Sequence, residues 1–339
     1  MKEIYTKARG RIDPKFCRVC SKCDGKACAG EVPGMGGIGT GASFQNNVAA
    51  LAARRLSMRV LHGANEPDTA LELWGRKLTL PVMAAPIGSV FNNLGSDMGV
   101  GRYAEVLIRG CHAAGTLAGI GDTGKAADLE ESIANVRDLG KDVMAFIKPW
   151  AIDEVKRRFD LAAAVGCEIC GMDLDAAGLT LLRRLAAPVG TRTPKELSGI
   201  IKAAHERTMR FIAKGIMTAD EARLAVEAGA DAVLVSNHGG RVLDHTPGTA
   251  EVLPGIAEAV GKDAHVFVDG GIRAGADVLK VLAMGAKAAL VCRPLAIVAH
   301  GDEEQGIPRY FAAMREDLAQ SMRLTGCANL AAVGRHVVC

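Results

Sequence analysis

Aromatic side chains are scarce in this sequence. Phe, Trp and Tyr together make up 4% of 339 residues, with two tryptophans and three tyrosines. A surface that stacks nucleobases needs aromatics interleaved with a basic run, and the sequence contains no such run. Charge of one sign is lacking too. The 41 Lys and Arg against 38 Asp and Glu leave a formal net charge of +3, too small to argue for a nucleic-acid partner. No stretch reaches the roughly 18 uninterrupted apolar residues of a membrane-spanning helix. Met1 to Pro14 is charged and has no apolar core of the kind that directs secretion. The expectation is a soluble, cytoplasmic protein with no membrane span.

What is abundant is small and apolar. Hydrophobic residues reach 49% and there are 40 glycines. Such a chain is long enough for one large barrel or two ordinary domains, and branched, small side chains suit the interior layers of a barrel. Ten cysteines in a chain of this expected compartment argue for metal, redox chemistry or buried thiols rather than a disulfide framework.

The most informative stretch is Val233 to Arg241, V-L-V-S-N-H-G-G-R. An apolar run, Ala232 to Val235, breaks into Ser236, Asn237, His238, two glycines and Arg241. That pattern reads as a buried parallel strand opening into a loop, the place where α/β proteins put their chemistry. It offers a base, His238, and a fixed cation, Arg241. A histidine satisfied in a polar turn is the plainer alternative. The next strand, His265 to Val268, ends in Asp269-Gly270-Gly271-Ile272-Arg273, and the last, Ala288 to Val291, ends in Cys292-Arg293-Pro294. Glycines at strand-to-helix junctions let backbone N–H groups approach a phosphate, and arginines add charged hydrogen bonds. Two successive strands ending this way match the phosphate site after strands seven and eight of a β/α barrel.

Upstream, the same alternation recurs. Strands are expected at Leu78–Ile87, Gly115–Ile120, Val143–Ile147, Cys167–Met172 and Phe211–Ala213. Helices are expected at 46–56, 100–114, 128–139, 152–165 and 179–186, then a loop or lid over 187–202 entering a helix, with Thr193 or Ser198 as cap. A further helix is expected to start at Thr218-Ala219-Asp220-Glu221 and run to Ala228, and another covers 274–284. Eight strands alternating with helices predict a TIM (β/α)8 barrel.

Lys214-Gly215-Ile216, S-N-H-G-G-R at 236–241, D-G-G-I-R at 269–273 and C-R-P at 292–294 resemble the FMN-dependent 2-hydroxy-acid oxidase and dehydrogenase family, which includes glycolate and lactate oxidases. The likeness is close from Phe211 to Ala299, looser from Phe44 to Gly121, and thin between. It implies FMN at the barrel top, with Ala85, Pro86 and Ile87 against the flavin and Lys214 and Ser236 beside it. Asp269, Gly270, Gly271, Arg273, Cys292 and Arg293 complete the expected cofactor site. It implies His238 as base, Asp173 as the carboxylate that orients it, and Arg241 as anchor of an anionic substrate. A homotetramer and an unidentified electron acceptor are also implied. The chain departs from the family at three places. Gly121 or Asp122 stands at a flavin-side serine, Phe146 to Lys148 replaces a glutamine and a tyrosine, and Gly178 lies near a missing arginine. Lys148 reads either as a substitute anion-binding group or as a solvated lysine.

The N-terminus is not of the family's usual kind. Cys17, Cys20, Cys23 and Cys28 are spaced C-x2-C-x2-C-x4-C, a pattern that binds zinc or an iron–sulfur cluster, or else is a reduced loop. Gly30 to Ser43 is glycine-rich but lacks the G-K-[ST] of a phosphate loop, and reads as a flexible or closely packed segment near the flavin. Residues 1–43 thus form a Cys- and Gly-rich extension and residues 44–339 the FMN-binding barrel. The leading functional expectation is oxidation of a small 2-hydroxy acid or related anion. The alternatives are a flavin-dependent isomerase resembling type 2 isopentenyl diphosphate isomerase, and a metal-binding electron-transfer scaffold.

Overall fold

Eight runs of mainly apolar residues become eight parallel strands in the computed structural model, which describes residues 1–339. They are β1 (Val82–Ala84), β2 (Ala118–Gly121), β3 (Val143–Ile147), β4 (Ile169–Asp173), β5 (Arg210–Ile216), β6 (Ala232–Val235), β7 (His265–Val268) and β8 (Ala288–Val291). Each pairs in parallel with the next, and β8 pairs with β1 to close the barrel. The expected TIM barrel is the fold found.

Alternation along the strands sorts their side chains between two layers. Met83, Met144, Phe146, Ile212, Leu234, Phe267 and Leu290 belong to one cluster that fills the barrel interior. Their strand neighbours Val82, Ala145, Ala213, Val233, Val268 and Ala289 belong to the larger core beneath the helices. Truncating a fully buried interior ring such as Phe267 to alanine costs about 3–5 kcal/mol.

An antiparallel hairpin, Leu71–Leu73 with Arg76–Leu78, was not expected from the pattern. Its Leu71, Leu73 and Leu78 join the interior cluster. The Trp74 ring at its turn lies 5.5 Å from His265 and 5.8 Å from Phe267. His265 opens β7, so the hairpin covers the N-terminal mouth and leaves the C-terminal mouth for chemistry.

Strands three, six, seven and eight have the expected bounds, and the others move. The first shrinks to Val82–Ala84 between Pro81 and Pro86, because neither proline can donate to the ladder. The fifth extends to Ile216. The helix expected at 46–56 starts earlier, at Ala42–Ala53. The one expected at 128–139 is Ala126–Ala134 followed by a 3-10 segment, Arg137–Asp142. The one expected at 179–186 is only Thr180–Arg184. Thr193 caps the helix Pro194–His205: its side chain accepts from the Glu196 N–H, while Glu196 Oε2 accepts from the Thr193 N–H at 2.8 Å.

The N-terminal extension lies on the barrel. Ile4 and Ala8 of helix Lys2–Arg9 are buried, and Arg11 donates to the His300 carbonyl at 3.1 Å. The glycine-rich segment is closely packed rather than flexible, with the Ile38 N–H on the Gly240 carbonyl at 2.8 Å. No helix is long and apolar enough to cross a membrane.

Candidate active site

Strand register sets the charges at the C-terminal mouth. Asp173 ends β4 directly across from Lys214 on β5. Ile147 ends β3 across from Met172, so Lys148 emerges beside Asp173. A carboxylate therefore stands between two ammonium groups: Lys214 Nζ lies 2.9 Å from Asp173 Oδ1, and Lys148 Nζ pairs with Oδ2. All three residues are buried. Burial alone would raise the Asp173 carboxyl, but the charges of Lys148 and Lys214 outweigh it and hold it far below the usual carboxylate range. Burial likewise opposes the Lys214 charge, and Asp173 and Asp175 overcome it.

This placement corrects the role expected of Asp173. Nδ1 of His238 faces two groups, Asp175 Oδ1 at 3.0 Å and Lys214 Nζ at 3.3 Å, so the carboxylate in hydrogen-bond reach of the ring is that of Asp175. Asp175 lies beyond the strand, in the 3-10 turn Leu174–Gly178, and reaches back over β5. Gly215 makes that approach possible. Its φ is +99°, and a Cβ there would lie 2.7 Å from the Asp175 Cγ. The β5–β6 register shifts at the same point. Asp175 was missed because two carboxylates two residues apart look alike in a sequence; the glycine inside K-G-I was the available signal.

The loop after β6 is tied down on all sides. His238 has φ +56°, a conformation that costs a branched backbone of order 1–3 kcal/mol and persists where surrounding contacts over-determine it. Asn237 Oδ1 accepts from Asn47 Nδ2 at 2.8 Å and from the Gly240 N–H at 3.0 Å. Ser236 Oγ accepts from the His238 N–H at 3.1 Å and donates to Asp269 Oδ2 at 2.9 Å. Ser236 thus holds His238 and Asp269 from behind. Burial, then the Lys214 ammonium, keeps His238 below its ordinary value against the pull of Asp175. That direction favours the neutral ring at pH 7. In the neutral tautomer whose Nδ1–H donates to Asp175, Nε2 is the unprotonated atom.

A cavity of about 310 Å³ fills the mouth. Ala85, Pro86 and Ile87 form an apolar wall with Leu290 and Val291. Asp269, Gly270, Gly271, Arg273, Cys292 and Arg293 line one end. His238, Arg241, Lys148, Lys214 and Asp173 line it as well. Leu179, Leu181, Leu182 and Leu185 add a second apolar side that sequence reasoning did not assign.

The cavity holds unspent donors. Arg241 Nη2 donates to Asn93 Oδ1 at 2.6 Å, but its buried Nε has no partner. Arg273 Nε is also buried and unpartnered. Burial and the nearby Arg293 lower the Arg241 guanidinium to about 10, so it stays charged at neutral pH. Arg293 is fixed by Met35 O at 2.8 Å and Gly239 O at 2.9 Å, with its guanidinium 3.9 Å over the Phe44 ring. Gly239 has φ +65°, and a Cβ there would come within 2.4 Å of Arg293 Nη1. Lys148, by contrast, already has Asp173 as partner. Asp122, one of the two residues expected near the family's serine position, accepts from Trp150 Nε1 at 2.6 Å and Arg158 Nη1 at 2.7 Å. Burial raises its carboxyl to about 6.

Cys17, Cys20, Cys23 and Cys28 line one small separate pocket. All ten cysteines of the chain are free thiols.

An apolar bed, two guanidinium groups with buried, unpartnered Nε atoms and a buried histidine–carboxylate pair at the top of a β/α barrel define an oxidoreductase-type cofactor barrel that suits a flat, anionic ligand. The sequence profile of a family described as FMN-dependent dehydrogenase matches residues 34–200 and 193–339, and the chain belongs to that family. It is 28% identical over 342 residues to 4-hydroxymandelate oxidase of Amycolatopsis orientalis, covering 88% of this chain and 90% of that protein. It is 44% identical over 131 residues to 2-hydroxyacid oxidase 1 of Homo sapiens, where the match spans 39% of this chain and 35% of that one. A crystal structure of mandelate oxidase superposes with a TM-score of 0.77 at 26% identity, over 100% of this chain and 97% of the other. A mandelate oxidase with an FMN adduct superposes at 0.72 and 29% identity, over 94% and 99%. FMN is the cofactor of the family, and the donors described above fit its phosphate and its flat ring.

Proposed function

We propose that this protein oxidises a small 2-hydroxy acid with an apolar side chain. The observation that carries this reading is the convergence of His238, backed by Asp175, with Arg241 on one cavity whose free side is leucine-rich. Arg241 binds the substrate carboxylate through the Nε it does not otherwise use. His238 Nε2 accepts a proton as the alcohol carbon becomes a carbonyl carbon. Bound FMN supplies the acceptor for the two electrons. Arg273 and Arg293, with the backbone of Gly270 and Gly271, hold its phosphate, and Lys214 stabilises negative charge on the ring. Lys148 acts with Asp173 and Lys214 to keep the mouth cationic, and it does not contact the substrate. The Leu179–Leu185 side excludes water and receives the substrate side chain.

Both site and family favour oxidation over isomerisation, and give the barrel itself the working role. The same proposal includes a homo-oligomer, a homotetramer by family resemblance, which light scattering checks. It also includes metal at the four N-terminal cysteines, zinc and iron–sulfur being the chemistries their spacing admits. The test of the activity is an anaerobic screen of flavin bleaching over 2-hydroxy acids. Acids with apolar side chains are expected to bleach faster than glycolate. A preference for glycolate, or bleaching by none, contradicts the reading.

A further inference from the structure

We propose that Cys17, Cys20, Cys23 and Cys28 ligate one iron–sulfur cluster, in a pocket that shares a wall with the flavin cavity. This narrows the metal reading above and does not depend on which substrate the barrel oxidises.

Three observations lead there. First, the four thiols come from only twelve residues of chain, and all face one pocket. None is spent in a disulfide. Second, the sulfurs stand too far apart for one small ion. A tetrahedral zinc with bonds of about 2.3 Å brings its sulfurs within about 4 Å of one another. The only trio of metal-ligating groups whose atoms lie mutually within 4.8 Å is Asp173, Asp175 and His238, and no trio of these cysteines does so. Lys148 and Lys214 already answer the charge of that acidic trio. A cluster spreads its thiolates over separate iron atoms, so a wider set of sulfurs suits it.

Third, the surroundings suit a buried anion. Phe44, Met35 and Ile297 are apolar wall, and Arg293 faces the pocket. Arg273 Nη2 lies 3.5 Å from Cys23 Sγ and 3.3 Å from the Cys23 carbonyl oxygen. An iron–sulfur core on four thiolates is anionic, and N–H groups on its sulfurs both stabilise it and set its potential. Met35 and Arg293 line this pocket and the flavin cavity alike. One layer of side chains therefore separates the two sites.

The test uses the full chain with its flavin, purified without oxygen and reconstituted with ferrous iron and sulfide. Iron and acid-labile sulfide are expected in equal amounts, several of each per chain. A brown absorbance should overlie the flavin bands, and an electron paramagnetic resonance signal should follow dithionite reduction. The Cys20→Ser, Cys23→Ser double variant should lose iron, sulfide and the signal while keeping FMN and a cooperative melt. Stoichiometric zinc without sulfide overturns the proposal. So does wild-type chain that retains no iron after reconstitution, or iron and sulfide unchanged in the double variant. Since flavin bleaching by substrate is read separately, a failure of the cluster leaves the hydroxy-acid reading standing, and the reverse.

Discussion

Oδ1 of Asp175 stands 3.0 Å from Nδ1 of His238, and the approach crosses the bare backbone of Gly215. The neighbouring Asp173 is engaged by Lys148 and Lys214 instead. Two carboxylates two residues apart thus carry different tasks. Asp175→Asn is expected to slow flavin reduction by at least about tenfold, short of the loss caused by removing the base. Asp173→Asn is expected to act on stability. It leaves two buried ammonium groups short of a partner, a defect worth about 3–5 kcal/mol. Thermal melting and stopped-flow reduction of both variants separate the roles. Equal damage to rate and stability in both would contradict the division.

On the proposed reading Arg241 holds the substrate carboxylate through its free Nε while Nη2 is held by Asn93, an arrangement of planar donors that lysine cannot reproduce. Arg241→Lys should raise KM by about tenfold or more, with a smaller change in the flavin reduction rate at saturation. Steady-state and rapid-reaction measurements on one hydroxy acid decide this. A variant with unchanged KM would place the carboxylate elsewhere.

Arg273 and Arg293 line the end of the cavity where the proposed site holds the FMN phosphate. Each charged hydrogen bond contributes about 1.5–3 kcal/mol, so losing one weakens binding by roughly 10- to 150-fold. Flavin titration into the apoprotein of the Arg273→Ala, Arg293→Ala double variant should show weaker affinity. Wild-type affinity would move the phosphate site.

Asp269 carries a pH signature. Burial raises its carboxyl from 3.8 to about 6. The folded chain therefore holds this proton more tightly than the unfolded chain, and ionising the group costs stability as pH rises toward 6. Above about pH 6 the cost is complete; below about pH 4 both states are protonated and it vanishes. In the apoprotein, Asp269→Asn should therefore gain stability relative to wild type at pH 8, and the gain should shrink toward pH 4. Chemical denaturation at several pH values reads the difference. A gain that grows on acidification would reverse the sign.

The barrel was legible because its strands end abruptly. Ala232–Val235 and Ala288–Val291 are pure apolar runs halted by polar residues and glycine or proline. The Leu71–Leu78 hairpin was not legible, because three-residue strands carry too little alternation to register and their burial comes from Phe267 and its neighbours far along the chain. The same limit applies to the site. His238, Arg241 and Arg293 follow strands and could be placed by pattern. Asp175 sits in a turn, and only the β4–β5 pairing and the gap at Gly215 reveal which carboxylate meets the histidine. The resemblance puts Ser236 beside the cofactor, but its hydrogen bond to Asp269 was not legible in the sequence. The leucines from 179 to 185 have the pattern of an ordinary helix, and nothing in their spacing says that they line the cavity.

The central claim is that His238 is the base that starts substrate oxidation. Burial and Lys214 lower its ring below the ordinary histidine value, which favours an unprotonated Nε2 at neutral pH. The rate of anaerobic flavin bleaching by a hydroxy acid should accordingly fall on the acid side with an apparent pKa below 6.5. The most direct measurement is that bleaching rate in His238→Ala. The account predicts a folded variant that keeps FMN and reduces it about 100- to 10,000-fold more slowly than wild type. Bleaching at the wild-type rate would contradict it.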